Sequence, residues 1–286
     1  MSSLPRSTRG PRRPDLVSGA LMSTTFTGRV CAVTGAGSGI GRALALELAR
    51  RGAKLALSDV NETTLAETGK LAEQLGAEVI TDRLDTSDAA AWEAYAKRVL
   101  DHYGVVNQIY NNAGIALGRS VKDSTIADYD RVLGINLRGV IAGTVTFLPH
   151  LIASGDGYVV NISSLNGIVA QPEMSHYVTA KFGVRGFTES LRMEMQVAGH
   201  PVGVSVVHPG GIKTNIANAE NEAAKAEGKQ HPDGDKRTKL YNEKLLKMPP
   251  EQAANIILGG VEKRKMRIIV GNDARAMDLF ERIAPT

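Results

Sequence analysis

A tyrosine and a lysine four positions apart, Tyr177 and Lys181, have the residue types and the spacing of an acid/base pair. The stretch around them predicts a helix, and side chains four apart on a helix lie on one face and can converge on one ligand. A tyrosine with an ordinary pKa of about 10 is a poor base at neutral pH, but a nearby ammonium favours the phenolate and lowers that pKa. Tyr177 is therefore a candidate proton acceptor from an alcohol, or a proton donor to a ketone.

A serine pair precedes this tyrosine and follows the apolar run 157–162, which predicts a strand. Ser164 is thus expected at the carboxyl edge of a sheet, where open parallel sheets bind ligands. Its hydroxyl can donate a hydrogen bond to a substrate oxygen and stabilise negative charge that develops there. Ser163 is the competing candidate for the same role.

A glycine-rich segment at 34–41, Thr-Gly-Ala-Gly-Ser-Gly-Ile-Gly, lies between the apolar run 30–33 and a stretch with apolar residues at helical spacing. This order predicts a strand, a tight turn and a helix, in which backbone amides approach a pyrophosphate. A second predicted strand, 53–58, is followed by Asp59, which in such a unit accepts hydrogen bonds from the adenosine ribose hydroxyls. We therefore expect a dinucleotide, and NAD rather than its 2′-phosphorylated form because Asp59 repels the extra phosphate.

Short apolar runs alternate with amphipathic stretches along the chain, a pattern typical of a parallel sheet covered by helices. The predicted fold class is α/β, a doubly wound Rossmann-type fold with a seven-stranded parallel sheet and helices on both faces. A chain of 286 residues, 43% of them hydrophobic, can bury such a core in a single domain over 25–286. The predicted strands are 30–33, 53–58, 77–81, 108–111, 157–162, 203–207 and 267–270.

Two segments depart from this pattern. Residues 1–24 are basic and rich in Pro, Gly, Ser and Arg, which predicts a disordered extension, and they lack the apolar core of a secretory signal. Residues 218–247 are nearly all polar, charged or small. We expect a mobile loop with short helices at about 215–247, which orders over the substrate.

Composition and charge argue against several other classes of function. The net charge of +4 is concentrated near the N-terminus, so the domain lacks the basic stripe of a nucleic-acid-binding surface. The longest apolar run, 139–153, is interrupted by Pro149 and His150 and is shorter than the roughly eighteen residues of a membrane span. The single cysteine, Cys31, lies in the first predicted strand and favours a reducing, cytoplasmic compartment. No metal site is predicted, because no ligand-like partners stand at suitable spacing from the candidate histidines His150, His176 and His208.

These motifs together resemble the short-chain dehydrogenase/reductase family over about residues 26–275. The family's spacing to Tyr177 favours Ser164 over Ser163 as the substrate-side serine. The family motifs occur here in the family's order: the TGxxxGxG turn at 34–41, the acid after the third strand as Asp85, the NNAG motif at 111–114, an asparagine as Asn136, the YxxxK pair at 177–181, and Pro209-Gly210 followed by Thr214, which matches the family's nicotinamide-side segment.

The resemblance implies a catalytic tetrad of Asn136, Ser164, Tyr177 and Lys181. In the family the asparagine holds a water in a proton relay through the lysine, whereas the residue type alone also allows a helix-bending or core role for Asn136. Lys181 would also hold the nicotinamide ribose, and the charge of the oxidised nicotinamide would add to its effect on Tyr177. The implied cofactor-binding residues are Gly35, Gly37, Ser38, Gly39, Ile40, Gly41, Asp59, Val60, Asp85, Thr86, Asn112, Ala113, Gly114, Tyr177, Lys181, Pro209, Gly210, Ile212 and Thr214.

The function implied is hydride transfer between NAD(H) and a small-molecule secondary alcohol or ketone. One alternative is an NADPH-dependent carbonyl or acyl-carrier reductase, against which Asp59 and Ser38 count because neither is basic. A second is a cofactor-binding regulator without turnover, which has no need of the tyrosine and lysine pair. The helix after the tyrosine is expected to pack through its apolar residues, and the resemblance implies a homodimer or homotetramer built on that helix. Those apolar residues are Phe182, Phe187, Leu191, Met193 and Met195.

Overall fold

The computed structural model describes residues 26–226, 228 and 234–284. The strands in these residues are β1 Val30–Thr34, β2 Lys54–Asp59, β3 Val79–Arg83, β4 Gln108–Asn111, β5 Gly157–Ile162, β6 Val202–Pro209 and β7 Arg267–Val270. They form one parallel sheet in the order β3-β2-β1-β4-β5-β6-β7. The strand order reverses between β1 and β4, so the carboxyl ends of these two strands open a crevice suited to a ligand.

Helices cover both faces of the sheet, and each face has its own apolar core. The helices are α1 Gly39–Arg50, α2 Glu62–Gln74, α3 Ala89–Tyr103, α4 Ile126–Leu133, α5 Gly139–Ala153, α6 Ser175–Ala198, α7 Ile216–Ala226, α8 Gly234–Leu240, α9 Pro250–Glu262 and α10 Asn272–Ile283. Leu44 of α1 and Ile257 of α9 belong to the core of one face. Trp92 of α3 and Phe147 of α5 meet edge to face in the other. The predicted doubly wound α/β fold is confirmed.

The third strand begins at Val79, two residues later than predicted. The preceding helix α2 ends in a tight turn in which Gly76 has a φ of 88°. The amide of Ala77 donates a hydrogen bond to the carbonyl oxygen of Ala72 at 3.2 Å. Ala77 is therefore held in the helix-terminal turn and cannot join the strand ladder.

A π-helical turn, Gly134–Arg138, joins α4 and α5 into one continuous helix from Ile126 to Ala153. This helix continues through Pro149, so the helical run is longer than the predicted apolar run. By length and composition alone it could cross a membrane, and 44% of its most apolar window is buried within the protein. Core helices of water-soluble proteins pass the same test, so this is weak evidence for a span.

The segment predicted as a loop with short helices is largely helical where the structure describes it. The helices α7 and α8 and a π-helical turn at Tyr241–Leu245 follow β6. The Lys225 ammonium lies 2.8 Å from the Asp235 carboxylate and joins α7 to α8. Residues 227 and 229–233 of this segment lie outside the described residues, as does the predicted N-terminal extension at 1–24.

Candidate active site

The glycine-rich turn after β1 forms a backbone cradle at the crevice. Gly35 and Gly39 have φ angles of 63° and 54°, which residues with side chains rarely adopt. A Cβ at Gly41 would collide with the carbonyl oxygen of Gly35. Helix α1 starts here, its N-cap residue Ser38 makes no side-chain capping bond, and its first turn, which includes Ile40, contains no acidic residue. Backbone amides at a helix start, unblocked by side chains, fit the pyrophosphate of a dinucleotide.

Asp59, at the end of β2, faces this turn. Its Oδ2 accepts a hydrogen bond from the amide of Gly37 at 2.8 Å, and its Oδ1 accepts one from the amide of Asn61 at 3.0 Å. A Cβ at Gly37 would lie 2.9 Å from Oδ2, so glycine at this position lets the carboxylate approach the turn closely. Val60 follows with a side chain that is 54% exposed. The carboxylate is thus held at the rim of the predicted cofactor site.

Asp85 follows β3. Its Oδ1 accepts hydrogen bonds from the amide of Ser87 at 2.9 Å and from the hydroxyl of Ser87 at 2.7 Å. These bonds lower the pKa of the Asp85 carboxyl. Thr86 is buried, and its carbonyl oxygen accepts a hydrogen bond from the Trp92 indole nitrogen at 3.0 Å. Asp85 is therefore an ionised hydrogen-bond acceptor in a turn that hydrogen bonds hold in place.

The loop after β4 is fastened to the glycine-rich turn. The hydroxyl oxygen of Thr34 accepts hydrogen bonds from the amides of Asn112 and Ala113, both at 3.0 Å. The side-chain amide of Asn112 donates to the carbonyl oxygen of Thr34 at 2.9 Å and to that of Gly35 at 3.3 Å. Asn112 therefore holds the two walls of the crevice together, and Thr34 is a partner that the sequence did not single out.

The segment after β6 closes the other side of the crevice. Pro209 ends β6, and the amide of Gly210 donates to the carbonyl oxygen of Val270 at 2.8 Å. The amide of Gly211 donates to the Asp273 carboxylate at 2.7 Å. These bonds attach the predicted nicotinamide-side segment to β7 and α10.

The side chains of Thr214 and Ile212 in this segment lie in different surroundings. A Cβ at Gly39 would lie 3.1 Å from the Thr214 methyl group, so Thr214 lies over the glycine-rich turn. Ile212 is only 3% exposed and belongs to the apolar core. Its backbone, rather than its side chain, is therefore what Ile212 can offer a cofactor.

Ser164, Tyr177 and Lys181 come together at the carboxyl end of β5. The side chains of Ser164 and Tyr177 are hydrogen-bonded to each other. The Nζ atom of Lys181 lies 5.5 Å from the ring centre of Tyr177 and donates a hydrogen bond to the carbonyl oxygen of Ile162 at 2.9 Å. Lys181 is 3% exposed, and burial lowers its pKa to about 8. The structure thus places on one site the three side chains that could act on a substrate oxygen.

The pKa of Tyr177 differs from what the sequence predicts. We expect from the sequence that the Lys181 ammonium lowers it, but burial raises it above the ordinary value of 10.0, and the hydrogen bond with Ser164 offsets part of this rise. The ammonium is bonded instead to the backbone of Ile162. Lys181 by itself therefore does not turn Tyr177 into a phenolate at neutral pH.

Asn136 lies in the π-helical turn and is fully buried. Its side chain accepts a hydrogen bond from the amide of Ile115 and donates one to the carbonyl oxygen of the same residue, both at 2.8 Å. A Cβ at Gly114 would lie 3.2 Å from Asn136 Oδ1 and 3.6 Å from Lys181 Nζ. Asn136 is therefore a buried residue whose side chain has hydrogen-bond partners, and it is also a neighbour of Lys181. Its position in a π-helical turn fits a functional site, where such turns are frequent.

Ser163 and Ser164 have distinct surroundings. The Ser163 hydroxyl is 2% exposed and donates to the carbonyl oxygen of Lys181 at 2.8 Å. Ser164 is half-buried, and its Oγ accepts from the amide of Asn166 at 3.1 Å. Burial lowers the pKa of His208 to about 4, so its neutral ring donates from Nδ1 to the carbonyl oxygen of Ser164 at 2.8 Å. Ser164 is thus the serine open to a substrate, and His208 is a support that the sequence did not indicate.

His176 is buried and packed rather than directed into the crevice. Its Nε2 lies 2.8 Å from the Ser124 hydroxyl, and its ring centre lies 4.5 Å from that of Tyr129. Burial lowers the pKa of His176. Among the residues described, no group of three or more His, Cys, Asp or Glu side chains could hold a metal ion.

The chain is similar to known proteins along most of its length. It matches the family model of short chain dehydrogenases over residues 29–225. SadH of Mycobacterium tuberculosis is 50% identical over 260 residues, 91% of this chain and 92% of SadH. Its name describes an oxidoreductase and gives no substrate. Cyclohexanol dehydrogenase of Acinetobacter sp. is 34% identical over 216 residues, 75% of this chain and 84% of that enzyme. A short-chain dehydrogenase/reductase of Burkholderia phymatum, solved in complex with NAD, superposes with a TM-score of 0.83 at 31% identity over 91% of this chain and 94% of that one.

The family match spans well over half of the chain, and its range contains the glycine-rich turn together with Asn136, Ser164, Tyr177 and Lys181. The structural neighbour repeats the same α/β architecture over nearly the whole chain. On these grounds the chain belongs to the short-chain dehydrogenase/reductase family of oxidoreductases.

Proposed function

We propose that this protein transfers a hydride between NAD(H) and a secondary alcohol or ketone, with Tyr177 as the general acid/base. The observation that carries the proposal is the hydrogen bond between Ser164 and Tyr177 beside the buried ammonium of Lys181. Because these two hydroxyls are hydrogen-bonded to each other, both can reach the same substrate oxygen. When bound, the nicotinamide supplies or accepts the hydride.

Each side chain has one task in this reaction. Ser164 donates a hydrogen bond to the substrate oxygen and stabilises the negative charge that builds up there. Tyr177 gives a proton to that oxygen in ketone reduction and takes one from it in alcohol oxidation. Lys181 holds the nicotinamide ribose and contributes positive charge that, together with the cofactor's own, lowers the pKa of Tyr177. Its hydrogen bond to Ile162 fixes the ammonium at the end of β5.

The preference for NAD rests on Asp59 and on what surrounds it. The carboxylate is held by the amides of Gly37 and Asn61, so it stays where a 2′-phosphate would meet it. A cation near Asp59 could offset this charge, and Arg42 is the one nearest to the glycine-rich turn in sequence. Its guanidinium, however, is hydrogen-bonded to residues of α2. Its guanidinium donates to the Thr68 hydroxyl at 2.9 Å and to the Thr64 carbonyl oxygen and the Glu67 carboxylate, both at 3.0 Å.

The substrate proposed is a moderately apolar cyclic alcohol or ketone. Leu165 and Met174, next to the candidate catalytic residues in the chain, are apolar and half-buried. The relative named cyclohexanol dehydrogenase acts, by its name, on a cyclic secondary alcohol. Helix α7, which follows the nicotinamide-side segment, is proposed as part of the substrate loop.

A homodimer or homotetramer is proposed through the outer faces of α5 and α6. Leu191 and Met195 of α6 are buried, as expected for a packed face. Phe182 and Met193 differ from that expectation, since they are 40% and 59% exposed in the protomer, and Val145 of α5 is 60% exposed. A second copy packed against these side chains would remove them from water. A cytoplasmic location is proposed because the single cysteine, Cys31, is a free thiol, so the chain has no internal disulfide of the kind that oxidising compartments favour.

The test is a matched pair of serine variants. Cyclic and open-chain secondary alcohols and ketones are first assayed with NAD(H) by absorbance of the reduced nicotinamide. On an accepted substrate, Ser164→Ala is expected to lose about 100-fold or more in kcat. Ser163→Ala, which removes a buried hydroxyl bonded only to backbone, is expected to keep kcat within about threefold while losing about 1 kcal/mol of stability. Equal losses of kcat in both variants would contradict the proposal.

A further inference from the structure

The loop after β4, residues 112–120, is attached to five different segments of the molecule. Its first half is bound to the cofactor turn through Asn112 and to the π-helical turn through Ile115. Its second half is bound through Gly118 to α7, and through Arg119 to the segment before α6 and to α4, and the family motifs include none of these. The second half continues the loop away from the cofactor turn, toward the segment that precedes α6.

Glu220 of α7 holds this second half. Its carboxylate accepts a hydrogen bond of 2.5 Å from the amide of Gly118, although 102 positions separate the two residues. A Cβ at Gly118 would lie 2.6 Å from the same carboxylate oxygen, so a side chain at residue 118 would push the carboxylate away. A hydrogen bond to an ionised acceptor is stronger than one to a neutral acceptor.

Arg119, the next residue, attaches the loop to the segment just before α6, the helix that contains Tyr177. Its amide donates to the carbonyl oxygen of Glu173 at 2.7 Å, and its guanidinium lies 2.7 Å from the Asp128 carboxylate with both side chains 10% exposed. Glu173 has a φ of 63°, a conformation that a residue other than glycine keeps only when its surroundings hold it. Arg119 supplies one of these holding contacts.

Glu173 stands just before α6, the helix that carries Tyr177. The first turn of α6 is tied to the same region of the chain, because the Ser175 hydroxyl lies 2.8 Å from that of Tyr129 and His176 Nε2 lies 2.8 Å from the Ser124 hydroxyl. A displacement of the loop at Gly118 would therefore reach the strained turn at Glu173 and the N-terminal end of the catalytic helix.

We propose that Glu220 is a positioning residue for the substrate: by binding the amide of Gly118 it fixes the second half of the loop after β4 and, through Arg119 and Glu173, the turn that precedes Tyr177. The inference rests on the proposed dehydrogenase function. The cofactor side of the loop is held independently by Asn112 and Asn136. Loss of the Glu220 contact therefore affects substrate far more than cofactor.

Kinetics of four variants test this role. Glu220→Ala is expected to raise KM for the alcohol about tenfold, as loss of one hydrogen bond to a charged group implies, with the Kd for NADH within about twofold of wild type. Glu220→Gln keeps an acceptor oxygen and is expected to restore KM to within about threefold of wild type. Gly118→Ala places a Cβ against the carboxylate and is expected to reproduce the Glu220→Ala result. Glu222→Ala removes an exposed carboxylate of the same helix that pairs with Lys225 and is the matched control.

Hydrogen exchange provides a readout that does not depend on turnover. In the cofactor-free protein, peptides that span 114–121 are expected to exchange faster in Glu220→Ala than in wild type, Glu220→Gln or Glu222→Ala, because the amide of Gly118 loses its acceptor. Unchanged exchange and unchanged KM in Glu220→Ala would overturn the inference, as would an equal rise in KM and in the Kd for NADH. If wild type turns over no alcohol or ketone, the proposed function fails, while exchange at 114–121 still decides whether Glu220 holds the loop.

Discussion

Asn136 and Ile115 are joined by two hydrogen bonds of 2.8 Å, one in each direction, across 21 positions of the chain. The side-chain amide of Asn136 thereby satisfies both backbone polar groups of a residue that leads into the crevice wall. Because Asn136 is fully buried on the continuous helix from Ile126 to Ala153, this pair ties the loop after β4 to the core of the protein.

This pairing predicts a cost in stability when it is removed. Asn136→Ala leaves the partly buried amide and carbonyl oxygen of Ile115 without these partners and is expected to lower the free energy of unfolding by about 2 kcal/mol. Urea unfolding followed by circular dichroism measures the change. Asn255→Ala removes an exposed side chain on α9 and is the control, expected within about 0.5 kcal/mol of wild type. A stability equal to wild type in Asn136→Ala would show that the loop finds other partners.

The acid/base role of Tyr177 predicts a separation of binding from turnover. Tyr177→Phe removes the hydroxyl but keeps the ring over the Lys181 ammonium, so NADH is expected to bind with a Kd within about threefold of wild type. Turnover is expected to fall at least about 100-fold, because the proton transfer partner is gone. Fluorescence titration of NADH and steady-state kinetics measure the two quantities. Turnover near that of wild type would remove Tyr177 from the mechanism.

Cofactor choice follows from the charge of Asp59. At about 4 Å and an effective dielectric of about 20, the repulsion between two unit charges is roughly 4 kcal/mol, and even a third of this corresponds to about tenfold. NAD(H) is therefore expected to exceed NADP(H) at least about tenfold in kcat/KM. Asp59→Ser should narrow this gap chiefly by improving the use of NADP(H). A wild-type preference for NADP(H) would contradict the role of Asp59 and leave the catalytic residues unaffected.

The buried His208 predicts a loss of stability in acid. Burial lowers its pKa from 6.5 to about 4, so below pH 6.5 the unfolded chain takes up a proton at this residue that the folded protein does not. Stability contributed in this way is complete above pH 6.5 and is lost as the pH falls toward 4. Between pH 6.5 and 5 the loss is about 2 kcal/mol, and His208→Gln should lack it. Denaturant unfolding of both proteins at the two pH values measures the change in the free energy of unfolding. An equal change in wild type and in His208→Gln would contradict the assignment.

Much of this protein can be predicted from the sequence because its signals are local. Gly35 and Gly39 have positive φ angles, and a Cβ at Gly41 would meet backbone, so the glycine pattern by itself indicates the turn. Apolar periodicity likewise separates strands from helices. The spacing of Tyr177 and Lys181 places both on one helical face whatever the helix packs against. Strand ends shift by a residue or two, as at Ala77, because a helix cap competes with the strand for the same backbone groups.

The tertiary structure decided the contacts between segments that lie far apart in the chain. The direction of the Lys181 ammonium toward Ile162, and with it the raised pKa of Tyr177, depends on burial, which no local pattern reports. The support of Ser164 by His208 and of Gly118 by Glu220 likewise joins residues whose types are ordinary for a strand and for a surface helix. Sequence thus determined which groups could do chemistry, while packing determined the distances and charge states with which they meet, because hydrogen bonds and desolvation act between neighbours in space rather than in sequence.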